Sequence, residues 1–176
     1  MSFLPLAIQT FTTYRTLGEK ALAQVPDDRL TWEPAPGVNS LAVIVQHLAG
    51  NMLSRWTDFL TSDGEKDWRD RDREFEDILE RRDEIMTRWA EGWNCLLSTL
   101  HTLSDADLQR TILIRAEPHT VEQAIVRQLA HYAYHIGQMV YVARIIRGEA
   151  WQSLSIPRGE SEAFNQRKMG RAEDAS

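Results

Sequence analysis

Apolar residues recur at spacings of three and four along four long stretches of the chain, separated by polar breaks that carry Pro, Gly or dense charge. The first stretch predicts a helix over residues 2–25, with Pro5 tolerated in its opening turn and Pro26 marking its end. The break DDRLTWEPAPGVNS follows, and Ser40 then caps a second helix, LAVIVQHLAGNMLSRWTDFL, expected over 40–61. A third is expected over 75–103, beginning near Phe75 or Asp77. The fourth, over 120–147, opens on the capping box TVEQ and closes with Gly148 at its C-cap. Between the third and fourth, TILIR is the one segment that reads as a strand, and it is expected to be a short extended piece. Four long amphipathic helices argue for an all-α four-helix bundle with a long charged connection between helices 2 and 3 and a C-terminal tail, 148–176.

Composition narrows this picture. A length of 176 residues suits one domain over 1–176 with a substantial core. Lys plus Arg number 20 against 26 Asp plus Glu, a net charge of −6 that argues against nucleic-acid binding unless a basic patch overrides it, and the linear sequence presents none. The connection GEKDWRDRDREFED has 11 charged residues in 14 and reads as a solvated, ion-paired excursion anchored by Trp68 and Phe75. The single cysteine, Cys95, excludes an internal disulfide and Cys-based metal knuckles and fits a reducing cytoplasm. MSFLPLAIQTF has no basic leader or cleavage site, and the longest uncharged run, Gln128 to Ala143, is too short and too polar to span a bilayer. A cytoplasmic protein with no membrane partner is therefore expected.

The fourth helix carries the chemistry. From Ala124 to Ile146 only Arg127 and Arg144 are charged, so most of its circumference should be buried. At about 100° per residue, Gln128, His131, His135 and Gln138 fall within roughly 80° of one another. A buried polar stripe costs free energy unless its members find partners, and two imidazoles at i and i+4 can share a cation. Two core histidines hydrogen-bonded to backbone or tyrosine would satisfy the same spacing. A metal site needs a third ligand from another helix. His101 and His119 lie in polar surroundings and read as surface histidines, whereas His47 sits mid-helix after the apolar run LAVIV. The main apolar stripe of that helix, Leu41, Val45, Leu48, Met52 and Phe59, is centred roughly 130° from His47, which would suit a solvent-facing residue. Val43 and Ile44 lie near the His47 face, so burial all round is the other outcome, and spacing alone leaves both open.

The order of these residues, VQHLAGNMLSRW followed far downstream by AHYAYHIGQM, resembles the DinB/YfiT-like superfamily of metal-dependent enzymes. GNMLSRWTDFLTSDGEK and SIPRGESEAFN are similar to an uncharacterised DinB-related bacterial subgroup, and the resemblance covers nearly the whole chain. It implies a four-helix bundle, commonly homodimeric, holding one divalent metal through His47, His131 and His135 with open coordination positions. Some relatives move small thiols such as bacillithiol or mycothiol, one isomerises maleylpyruvate with a thiol cofactor, and many have no known reaction.

Three neutral imidazoles leave a cation its full charge, so such a site could lower the pKa of a bound water or of a substrate thiol. Imidazole suits zinc, nickel, copper or iron, and affinity alone does not decide among them; zinc is expected first and nickel second. Asn51, Gln128 and Gln138 are candidates to orient imidazoles or bind substrate, and no general base is identifiable. The chain has no HExxH, GxSxG, P-loop, GxGxxG or Glu-x-x-His. Three classes remain. They are a metal-dependent enzyme acting on a small molecule by thiol transfer or hydrolysis, a metal-binding stress protein favoured by the shortage of carboxylates around the histidines, and an interaction module with core histidines. Six tryptophans are many for one small core, and with Trp56, Trp89 and Trp93 among them some are expected at a homodimer interface. Ile156 and Phe164 are expected to dock the tail as far as about residue 164.

Overall fold

The computed structural model describes residues 2–76 and 79–173, with side chains described through Gly170. Among them are helices α1 (Phe3–Gln24), α2 (Leu41–Trp56), α3 (Arg82–Thr102), α4 (Val121–Arg147) and α5 (Ser161–Glu173), and strands β1 (Thr111–Ile114) and β2 (Glu117–Thr120). The fold is mostly helical. α2 packs chiefly on α3 and α1 chiefly on α4, while α2 also meets α4 and α1 meets α3, so the four long helices surround one core. A Cβ at Gly92 would lie 2.8 Å from the Cα of Ala49, so the bare glycine is what lets α3 approach the backbone of α2. No described helix is long and apolar enough to cross a membrane.

Trp56, Trp89, Trp93, Tyr132 and Phe11 are fully buried at the centre of this core. Phe11 meets Trp56 edge-on with ring centroids 6.3 Å apart, and Trp93 meets Tyr132 at 5.9 Å. These tryptophans are therefore absorbed by the core, which corrects the expectation that they were surplus to it.

The local signals at Ser40 and Thr120 act as expected. Ser40 Oγ accepts from the Val43 N–H, and Thr120 with Gln123 forms the reciprocal capping box of α4, which ends at Gly148 with φ 51°. Two helix ends differ from expectation. The second helix stops at Trp56, not near residue 61, because Asp58 adopts φ 48° and its carbonyl takes the N–H groups of Thr61 and Ser62 in a turn. The third begins at Arg82, not at Phe75, because Gln46 of α2 occupies the preceding backbone. Its Nε2 donates to the carbonyls of Arg73 and Glu74, and its Oε1 accepts from the Leu79 N–H at 3.2 Å. Residues 73–75 make one tight helical turn instead; Asp77, the other expected start, lies outside the described residues.

The short strand has a partner that the pattern did not reveal. β1 pairs antiparallel with β2, Thr111 opposite Thr120 and Ile114 opposite Glu117. Its two-residue turn holds Arg115 and Ala116 at φ 55° and 61°, the primed geometry that suits a hairpin. Asp63 accepts both of their N–H groups at 2.7 Å, offsetting the cost of left-handed backbone in two non-glycine residues. The Gly64 N–H donates to Leu113 O at 2.8 Å, so the charged connection is tied to the hairpin. Trp68 is 58% exposed and does not anchor this connection, contrary to expectation. The tail docks through Trp151 and Leu154 and through Gln24, which bonds both backbone groups of Gln152. Ile156 is exposed, so it does not serve as the expected anchor, while Phe164 is half-buried.

Candidate metal centre

α2 is the most buried of the described helices, with only Gln46 and Leu53 of its 16 residues half-buried and the rest buried. The open question about His47 is thereby decided. The apolar stripe faces the core, and the opposite face is covered by the charged connection, so His47 is only 5% exposed. On α4, His135 is 6% exposed and His131 is half-buried.

The three rings converge. His47 lies 5.5 Å from His131 and 5.0 Å from His135 between ring centroids, and His131 and His135 are 4.9 Å apart. One ligand nitrogen from each lies within 4.8 Å of the others. Zinc–nitrogen bonds of about 2.0–2.1 Å in a tetrahedron place nitrogens about 3.4 Å apart, so small ring adjustments would close the triad on a cation. His101, exposed, donates from Nδ1 to Leu97 O, and His119 bonds Glu117 O within the hairpin; neither belongs to the triad.

Each outer nitrogen of two rings is fixed. His47 Nδ1–H donates to Glu74 Oε2 at 2.9 Å, leaving Nε2 free to ligate. Glu74 is in turn gripped by Arg69, Nε to Oε1 at 2.8 Å and one terminal nitrogen to Oε2 at 3.0 Å. Both side chains are almost fully buried, Arg69 at 2% and Glu74 at 9% exposure. Burial would raise the Glu74 pKa, but hydrogen bonds from His47 and Arg69 and the Arg69 charge outweigh it and hold the carboxyl below its usual range. His135 Nδ1–H donates to Gln138 Oε1 at 2.9 Å, which leaves His135 Nε2 without a partner in the interior. His131 Nδ1 is likewise buried and unpartnered. Burial pushes His131 down to about 3, helped by the neighbouring histidines and by the charges of Arg55 and Arg69. Burial and His47 push His135 down to about 4 against the opposing Gln138 bond. Both rings are therefore neutral near pH 7, the form that can ligate. Orphaned interior nitrogens on rings oriented from behind fit a shared metal ion, which these three histidines could hold.

The triad borders a cavity of about 210 Å³ lined by His47 and His131 together with Asn51 and Gln128. Asn51 is held by a buried relay in which Trp56 Nε1–H donates to the Tyr132 hydroxyl and that hydroxyl donates to Asn51 Oδ1. Its amide NH2 is left as a donor. Gln128 is 3% exposed, and its Oε1 has no partner. The three amides singled out from the sequence thus divide: Gln138 orients a ring, while Asn51 and Gln128 line the cavity. Glu74 and Arg69 were missed, and the apparent shortage of carboxylates is corrected by Glu74. The only hint lay in the apolar Phe75 beside it, whose ring sits 5.0 Å from His47.

The family model described as "Protein of unknown function (DUF1572)" matches residues 1–160. This chain belongs to the DUF1572 family. No curated protein matches this DUF1572 chain. Among solved structures, a conserved protein from Enterococcus faecalis superposes with TM-score 0.65 at 20% identity, covering 85% of this chain and 99% of that one. A DinB-like protein from Bacillus cereus superposes with TM-score 0.61 at 20% identity, covering 79% of this chain and 89% of that one. At that identity the likeness establishes the fold alone: this DUF1572 protein has a DinB-like fold.

Proposed function

We propose that this protein is a divalent-metal-dependent enzyme in which His47, His131 and His135 hold one cation beside a small-molecule cavity. The four long helices are then the four-helix bundle of a DinB/YfiT-like domain spanning 1–176. The observation that carries the reading is the supported convergence of the three rings: within 4.8 Å of one another, backed by Glu74 and Gln138, with interior nitrogens left unpaired. Core histidines of an interaction module would be expected to spend those nitrogens on protein partners.

The cation would supply Lewis acidity at an exchangeable position next to the cavity. Zinc is the first choice and nickel the second, since neutral imidazoles suit both. Glu74 keeps the His47 proton on Nδ1, Arg69 fixes Glu74, and Phe75 packs against the His47 ring and excludes water from that side. Asn51 and Gln128 present a donor and an acceptor to a bound molecule. The cavity favours catalysis over a metal-storage role, because a closed structural site needs no adjoining space. Transfer to a low-molecular-weight thiol, or hydrolysis, fits such a centre in the cytoplasm. We also read the protein as a homodimer, on different grounds from the tryptophans: Val126, Tyr134, Tyr141 and Ile145 form an exposed apolar stripe along α4.

Elemental analysis of protein purified without an affinity tag tests the reading. The expected result is about one zinc or nickel per chain, mostly lost in each of His47→Ala, His131→Ala and His135→Ala and retained in His101→Ala and His119→Ala. No bound metal after incubation with either ion would overturn it.

A further inference from the structure

The geometry points to an oxyanion as the handle of the substrate: the cavity beside the triad binds a small molecule through a carboxylate or phosphate group. The choice of this end of the molecule rests on the metal reading above, but the pocket itself does not. Arg55, Arg69, Arg71, Arg115 and Arg127 line it, and no carboxylate does. Glu74 is committed to Arg69 and His47. Glu65 is shared by Arg55, Arg115 and, at 3.8 Å, Arg69. Asp63 is spent on the backbone of the hairpin turn, and Asp72 approaches Arg71 only to 4.0 Å with both side chains exposed. Five guanidiniums and no carboxylate face the cavity, in a chain whose net charge is −6, and the neighbouring acids are turned to the back of that wall or out to solvent.

Guanidiniums gathered at one wall repel one another, and an anion between them relieves that repulsion. Among the described residues Arg127 meets no carboxylate and lies 3.4 Å from His119 Nε2. Arg71 rests over the Phe75 ring at 5.4 Å. Arg55, with a side chain only 6% exposed, has an unpartnered Nε, and Gln128 an unpartnered Oε1. Planar guanidinium forks match carboxylate and phosphate oxygens better than ammonium groups would, and the wall contains arginine and no lysine. A volume of about 210 Å³ admits a small metabolite and not a chain segment. A further hydrogen-bond donor on that metabolite would satisfy Gln128.

The test uses full-length protein stripped with EDTA and titrated calorimetrically with inorganic phosphate and with malonate, chloride holding the ionic strength constant. Saturable binding of either anion is expected, and the tighter one identifies the oxyanion. Arg127→Ala and Arg71→Ala, both on exposed side chains, should each weaken it on the order of ten-fold or more, as loss of a charge-assisted hydrogen bond does. No binding above chloride would overturn the inference. So would binding that appears only after metal loading and is indifferent to both substitutions, since the anion would then be a metal ligand alone. Because the stripped protein is used, anion binding in a protein that never takes up metal would sink the metal reading and leave the pocket standing.

Discussion

Gly50 offers a perturbation that removes no functional group. It lies on α2 one turn from His47, and a Cβ there would clash with Glu74 Oε1 and lie 2.7 Å from its Cδ. Alanine in a helix interior should by itself stabilise by about 0.5–1 kcal/mol. Against that gain stand over-packing, about 1–3 kcal/mol, and the weakened hydrogen bond between His47 and a charged carboxylate, about 1.5–3 kcal/mol. The carboxylate cannot yield freely, because Arg69 grips it and is itself buried. The losses exceed the gain, so Gly50→Ala should lower the melting temperature of the metal-free protein. With the His47 ring no longer held from behind, metal affinity should fall by about 10–100-fold. Thermal melts of stripped protein and competition against a chromophoric chelator measure the two effects. Gly170→Ala, on α5 with nothing within 4 Å of the added carbon, is the control and should be neutral or stabilising in the melt. A Gly50→Ala protein that melts higher than wild type and binds metal equally well would refute the role given to Glu74.

Acid should destabilise the metal-free protein early. His131 and His135 stay neutral in the folded state down to about 3 and about 4, whereas their unfolded counterparts take up protons from about pH 6.5, so the stability present above pH 6.5 is lost as pH falls toward 4 and below. Melting temperatures of stripped protein between pH 7 and 4 should show this slope, and the His131→Ala/His135→Ala double variant should flatten it; an equal slope in both would disprove the assignment. On the apolar stripe of α4, Tyr141→Glu should convert a dimer to the monomer mass in sedimentation equilibrium; a wild-type protein already monomeric at micromolar concentration would remove that reading.

The ligands were legible because their signal is local. His131 and His135 sit four residues apart on one uninterrupted helix, and the capping residues Ser40 and Thr120 announce where α2 and α4 begin. What backs the ligands was not legible, because it depends on contacts between distant segments. Glu74 lies in a run so dense in charge that solvation was its natural reading. It is turned inward by Gln46, 27 or 28 residues earlier, and admitted by the missing Cβ of Gly50. The strand EPHT shows no alternation and contains a proline; it becomes β2 because Asp63, some 50 residues away, captures the turn before it. The arginine wall escaped notice for the same reason, since its five members come from α2, the charged connection, the hairpin turn and α4.

These distant contacts share one segment. The connection from Gly64 to Glu76 supplies Glu74 and Arg69 behind the triad and Arg71 to the cavity wall, and Asp63 and Gly64 pin its start to the hairpin that carries Arg115. A solvated excursion would have no reason to bury Arg69 to 2%, since removing a guanidinium from water costs several kcal/mol unless it is paired. Here it is paired at 2.8 Å with the carboxylate that also orients His47, with Glu65 farther off at 3.8 Å, so the burial of that charge and the orientation of the ring both draw on Glu74. The histidine triad and the basic wall are for this reason two faces of one folded loop, and a change that frees the loop from Gln46 should disturb both together.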